Sequence, residues 1–285
     1  MKILDLHCDS LYKFIEKGSD YSFLENDGHI SLQKLLKGGY IAQCFAVYTP
    51  CDLKGEQAYS FLKEQYKRFL KLKDSLGKIS AILTVENAEF LNGRLQRITK
   101  IEKMGVRILG LVHNAENCVG FPHSKQGGLK DFGKGVVDAV NSTKMLIDVS
   151  HLNLDGFFDV AKISKKPFVA THSACRTLQE HTRNLTDQQI KIIANSGGIV
   201  GIPFYSAFLN GGNKTEIEDI IRHINHLIEV GGEDIAAIGT DFDGMECEMF
   251  LKNAAEMQIL ADALIKKFGF GVAEKVCYKN ALRVL

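Results

Sequence analysis

A chain of 285 residues, 45% hydrophobic and with 35 basic against 34 acidic side chains, has an ordinary globular composition, long enough for one large barrel or two modest domains. A formal net charge of +1 gives no reason to expect nucleic acid or an anionic membrane surface as a partner. No apolar run approaches the roughly 20 residues that span a bilayer.

The first residues already read as a strand, with no separate basic and apolar leader before them. Seven scattered Cys, an odd number with no CxxC pair, suit free thiols in a reducing compartment, so a cytoplasmic location is expected. No repeat, low-complexity tract or linker divides the chain, and 1–285 is read as a single domain.

Short apolar runs ending in polar residues alternate with longer amphipathic segments. Strands are predicted at Ile3 to Asp9, Tyr40 to Tyr48, Ile79 to Glu86, Val106 to His113, Met145 to Ser150, Pro167 to His172, Gly198 to Phe204 and Ile235 to Asp241. Helices are predicted at about 10–17, 56–74, 89–103, 130–142, 155–164, 187–195, 215–230 and 254–268. Strand then helix, eight times, is the sequence form of a (β/α)8 TIM barrel of the α/β class. An open doubly wound sheet is the competitor, but no Gly-rich phosphate loop follows an early strand.

In such a barrel the active site lies at the C-terminal ends of the strands. Those ends supply His7 and Asp9, Glu86, His113, His151, His172, Tyr205, and Asp241 with Asp243. A strand over Ile3 to Asp9 would put Asp5, His7 and Asp9 on one face, because strand side chains alternate, and an imidazole between two buried carboxylates calls for a divalent metal. His223 and His226, three apart on a presumed helix beside Arg222 and Asn225, read as a solvated face; His29, His123 and His181 fall in loops and take no ligand role.

Asp5-Leu6-His7-Cys8-Asp9, Val85-Glu86-Asn87, Leu111-Val112-His113-Asn114, Asp148-Val149-Ser150-His151, Thr171-His172-Ser173, Arg183-Asn184-Leu185, Phe204-Tyr205 and Gly239-Thr240-Asp241-Phe242-Asp243-Gly244 occur in an order that resembles the membrane (renal) dipeptidase family, the M19 metallopeptidases. The resemblance runs on to the Asn280-Ala281-Leu282-Arg283-Val284 ending. It implies a metal-dependent (β/α)8 hydrolase that uses two Zn2+ ions and a metal-bridging hydroxide to cleave dipeptides, L,L and also L,D. Carried over by position, it makes His7 and Asp9 ligands of one zinc, His151 and His172 of the other, and Glu86 the bridge. Asp241 would handle the proton, His113 would bind substrate and stabilise the oxyanion, and Arg183 with Tyr205 would hold the free carboxylate. Asp5 and Asp148 are candidates for orienting the ligands.

Neither the leader nor the hydrophobic tail of vertebrate members is expected for this protein, so the "membrane" of the family name is not carried over. Small dipeptides are the expected partners, and a homodimer is left open. Related barrels that cleave lactones, cyclic amides or phosphoesters often carry His-x-His and a carbamylated Lys. His-x-Asp and Glu86 here favour the dipeptidase, and retention of Asp241 and every ligand disfavours a non-catalytic binding barrel.

Overall fold

The computed structural model describes residues 1–18 and 22–285. Its main sheet is parallel and contains β1 (Ile3–Asp5), β2 (Tyr40–Tyr48), β3 (Ser80–Glu86), β4 (Val106–Gly110), β5 (Leu146–Asp148), β6 (Val200–Ile202) and β8 (Ala236–Ile238), in the order β5-β4-β3-β2-β1-β8-β6. A small separate pair, β7 (Lys214–Thr215) and β9 (Glu248–Met249), lies outside it. Between β5 and β6 stands a very short eighth stave: Val169 bridges to Asp148 and Ala170 to Val200, which closes the (β/α)8 barrel.

The predicted strand Pro167 to His172 shrinks to that pair for a specific reason. The next two amides are taken by side chains, Thr171 N by Asp148 Oδ1 and His172 N by Ser150 Oγ, so no ladder continues. β1 likewise stops at Asp5, whose carboxylate accepts from His7 N. The expected common face of Asp5, His7 and Asp9 therefore does not form; Asp5 turns to Thr240, and only His7 and Asp9 reach the site.

Alternation along the staves separates two apolar layers. Leu4, Leu6, Ala42, Cys44, Ile108, Leu146, Val169, Ile199 and Ala237 form one cluster. Their sequence neighbours Ile3, Phe45, Leu109, Ile147, Val200 and Ala236 join the larger one shared with helix residues such as Leu62, Ile101 and Val160. Ala281 packs in the first cluster, with Tyr278, Val284 and Leu285 against it, so the C-terminal segment plugs the end of the barrel away from the site. Gly239 is needed where β8 leaves the sheet, since a Cβ there would run into the carbonyl of Thr171.

Outside lie α1 (Ser10–Glu16), α2 (Leu32–Gly38), α3 (Gly55–Ser75), α4 (Gln96–Lys103), α5 (Asp131–Asn141), α6 (Leu154–Ile163), α7 (Asp187–Asn195), α8 (Ser206–Leu209), α9 (Ile217–Gly231) and α10 (Met257–Phe268). The predicted helix 89–103 is two pieces, a 3-10 turn Ala88–Leu91 and then α4, because Asn92 and Gly93 adopt left-handed backbone between them. The unpredicted α2 is capped by Ser31, whose side chain accepts from Lys34 N, and ends on left-handed Gly39.

Candidate active site

The ends of the staves deliver the site. Asp9 stands just before α1 without a side-chain bond to its first turn, Glu86 ends β3, and His113, His151, His172 and Asp241 each follow a stave. His151 and Asp241 stand at φ 65° and 64°, left-handed conformations that are costly for residues other than glycine. Each neighbours a side-chain clasp. Asp148 Oδ1 accepts from Ser150 N at 2.9 Å and Thr171 N at 3.0 Å, while its Oδ2 takes the Thr171 hydroxyl. Asp5 does the same across the barrel, taking His7 N at 3.2 Å, Thr240 N at 2.9 Å and the Thr240 hydroxyl at 2.7 Å. The two buried carboxylates thus fix the backbone from which His7, His151, His172 and Asp241 project.

His151 Nε2 and His172 Nε2 are 2.9 Å apart, with Glu86 Oε1 at 3.0 Å and 3.5 Å from them. The other oxygen of Glu86, Oε2, is 3.9 Å from His7 Nε2, which also has Asp9 Oδ2 at 3.3 Å and Asp241 Oδ1 at 3.7 Å. His151 donates Nδ1–H to Asn114 Oδ1 at 2.9 Å. The Thr171 hydroxyl already donates to Asp148, so His172 Nδ1–H must donate to Thr171 Oγ1, at 2.8 Å. Both Nε2 atoms are then lone-pair donors aimed at one spot beside a carboxylate oxygen, an arrangement that suits a cation. Asp9 Oδ1, buried and without a hydrogen-bond partner among the described residues, is a further donor kept in reserve. The donor set therefore fits divalent metal.

Charge follows burial. Burial alone would lower His7, but Glu86 and Asp9 outweigh it and lift its pKa to about 10. Burial raises Glu86 well above the carboxylate range and Asp241 to about 7. His151 and His172 are pushed far down by burial, with the Arg183 and His7 charges adding to it respectively. His113 is lowered to about 4, chiefly by burial, and stays neutral at neutral pH. It lies close enough to Glu86 and His151 for the three to share an ion, a grouping that the sequence did not suggest.

A cavity of about 560 Å³ opens above Asp9, Glu86 and Asp241, with His123, His181, Arg183, Tyr205 and Phe208 on one side. A second lobe of about 310 Å³ adjoins it at His113 and carries Tyr12, Lys13, Glu16 and Tyr48. Every site residue expected from the sequence, save the positioning pair Asp5 and Asp148, lies in the metal-sized clusters or lines these lobes. Gly244 completes the floor, where a Cβ would strike the Asp9 carboxylate. Asp243 turns away, accepting from Ser10 Oγ at 2.5 Å and His29 N at 2.7 Å.

Sequence reasoning missed Asn114, Thr171, Thr240 and the cavity-lining His123 and His181. Asn114 and Thr171 stood beside predicted site residues, and that adjacency was the available signal. The solvated face assigned to His223 is wrong. It is fully buried, with Nδ1 accepting from Cys175 N at 3.1 Å and Nε2–H donating to Leu209 O at 2.9 Å. His226 is partly buried, 2.7 Å from Asp187 Oδ1.

Fold and site together define a metal-dependent hydrolase of the (β/α)8 class. Comparison with known proteins narrows this. The family model of the membrane dipeptidases, peptidase family M19, matches residues 1–75 and 69–285. A Klebsiella pneumoniae relative, described as an uncharacterized protein in the pqqA 5' region, is 37% identical over 221 residues, 73% of this chain and 81% of that protein. Among solved structures, the M19 metallopeptidase called dipeptidase AC has a TM-score of 0.94 at 26% identity, covering 100% of this chain and 97% of the other. A Rhodobacter sphaeroides metallopeptidase, liganded with a phosphinate mimic of L-Ala-D-Ala, has a TM-score of 0.92 at 26% identity, covering 100% and 98%. The chain belongs to the membrane dipeptidase family and is a metallo-dipeptidase. Among the described residues, no helix is long and apolar enough to cross a membrane.

Proposed function

We propose that this chain is a dinuclear zinc dipeptidase that hydrolyses the peptide bond of L,L and L,D dipeptides. The observation that carries this reading is the division of Glu86, with Oε1 toward His151 and His172 and Oε2 toward His7 beside Asp9. His7 and Asp9 would hold one ion, His151 and His172 the other, and Glu86 both. When bound, the ions supply Lewis acidity toward the scissile carbonyl and the attacking water.

The protein's own groups do the rest. Asp241, buried and raised to about 7, takes a proton from the water oxygen onto its carboxylate and passes it to the leaving amine nitrogen. Neutral His113 donates to the oxygen of the former carbonyl as negative charge develops there. Arg183 and Tyr205 line the lobe that would receive the free carboxylate, and Arg183 Nε is buried with no partner among the described residues. The inclusion of L,D dipeptides is supported by the L-Ala-D-Ala mimic bound in the Rhodobacter sphaeroides structure.

Seven free thiols support a cytoplasmic enzyme, and one continuous barrel supports reading 1–285 as one domain. The test is elemental analysis together with a screen of L,L- and L,D-dipeptides on zinc-loaded protein. Two metals per chain and turnover of free dipeptides are expected. One metal per chain would overturn the dinuclear assignment, and failure on every dipeptide would overturn the substrate class.

A further inference from the structure

Beside the site stands a thiol for which the mechanism above has no use. Cys51, half-buried in the turn after β2, has its Sγ 3.5 Å from His113 Nδ1. The turn is anchored at the site itself: Thr49 N donates to Glu86 O at 3.2 Å, Asn87 Nδ2 donates to Thr49 O at 2.8 Å, and Leu53 N closes on Pro50 O at 3.2 Å. The ring of His113 is further held edge-on by Tyr48, centroids 4.8 Å apart, and against His151 at 4.4 Å. The thiol therefore faces a ring with little freedom to turn.

A neutral imidazole has one N–H and one lone pair, and which nitrogen carries the proton follows from its partners. Only an Nε2–H ring, with Nδ1 turned to Cys51, can donate toward the cavity. An unprotonated Nδ1 is an acceptor, and the group placed against it is the Cys51 thiol, which carries an S–H to give. We propose that Cys51 is a positioning residue, donating S–H to His113 Nδ1 and so keeping the ring proton on Nε2, where the oxyanion donor is needed. This rests on the assignment of His113 as that donor.

The test uses zinc-loaded full-length protein with 15N-labelled histidine. In the wild type, the His113 Nδ1 signal should be that of an unprotonated nitrogen and Nε2 that of a protonated one. Cys51→Ser keeps a donor and should retain this pattern with kcat within about twofold, whereas Cys51→Ala should show mixed tautomers and a kcat lower by about three- to tenfold at unchanged KM. A protonated Nδ1 in the wild type, or equal kcat in the Ser and Ala variants, would overturn the proposal. His113→Ala keeps the two questions apart: full kcat in that variant would remove His113 from oxyanion stabilisation, whatever tautomer the spectra show.

Discussion

His151 Nε2 and His172 Nε2 face each other at 2.9 Å, and neither ring can offer a proton to the other, because each Nδ1–H is engaged by Asn114 or Thr171. Two lone pairs held this close, next to Glu86 Oε1, are stable only with positive charge among them. Metal binding is thus also stabilisation of the fold. At about 100 times its Kd, a ligand that binds only the folded state contributes roughly 2.7 kcal/mol. Chelation should lower the Tm of the wild type by several degrees. Glu86→Gln should contain less metal, lose activity, and show a Tm nearly indifferent to chelator, while His226→Ala should keep full metal content. Retention of two metals by Glu86→Gln would remove Glu86 from the bridge.

The Asp5–Thr240 clasp predicts a different signature. Asp241 follows Thr240 directly and holds φ 64°, so loosening the clasp should let that backbone relax. Thr240→Val removes the hydroxyl and leaves a buried carboxylate oxygen one donor short, at a cost of about 1–3 kcal/mol. Reduced kcat with little change in metal content is expected, and Thr240→Ser should restore both stability and rate. Wild-type stability and rate in Thr240→Val, measured by denaturant unfolding and steady-state kinetics, would show that the hydrogen bond does not matter, and damage in Thr240→Ser as large as in Thr240→Val would show that the methyl group matters as well.

Asp241 itself should behave otherwise. If it is the proposed proton carrier, placed 3.7 Å from His7 Nε2, Asp241→Asn should retain both proposed metals, and kcat should fall by about 10²–10⁴. Near-normal kcat in a fully metallated variant would assign the proton elsewhere. Asp243 is a poor substitute, because its carboxylate already accepts from Ser10 and His29 N.

The barrel was legible because long parallel strands buried on both faces give near-continuous apolar runs, as in Tyr40 to Tyr48. The eighth stave was misjudged in length because Asp148 and Ser150, more than twenty residues earlier, take the amides of Thr171 and His172. His223 was misread for a similar reason. Its partners, Cys175 N from a loop and Leu209 O from the end of α8, are ones that local pattern cannot place beside α9. The split of the helix expected at 89–103, by contrast, was signalled by Asn92-Gly93, a known turn pair.

That buried histidine makes a pH prediction. Burial lowers the His223 pKa from 6.5 to about 4, so the folded state keeps it neutral where the unfolded chain binds a proton. Stability from this residue is complete above about pH 6.5 and is lost as the pH falls toward 4, by an amount on the order of 3 kcal/mol. His223→Asn offers an oxygen in place of Nδ1 and nothing to titrate. Its unfolding free energy should be lower at pH 7 but fall less between pH 6.5 and 4. Parallel pH profiles for the two proteins would mean that His223 does not carry the proton.

On the proposed reading, dipeptide specificity turns on recognition of the substrate's free carboxylate. Arg183 looks in the sequence like a loop arginine, but its side chain is buried, with Nη1 donating to Ser173 Oγ and Nη2 to His172 O, both at 3.0 Å. Burial brings its pKa down only to about 10, so it remains charged at neutral pH. Nε has no hydrogen-bond partner among the described residues, and its lobe is shared with Tyr205. A charge-assisted contact here is worth about 1.5–3 kcal/mol, roughly ten- to more than hundredfold in kcat/KM. Amidating the C-terminus of a good dipeptide should cost the wild type about that much. Arg183→Met also breaks the bond to the His172 carbonyl, so its absolute rate will drop for reasons unrelated to the carboxylate. The ratio of kcat/KM for the free and amidated dipeptide cancels that damage, since both substrates meet the same altered site. In Arg183→Met this ratio should approach one, whereas a ratio equal to that of the wild type would place carboxylate recognition at another group.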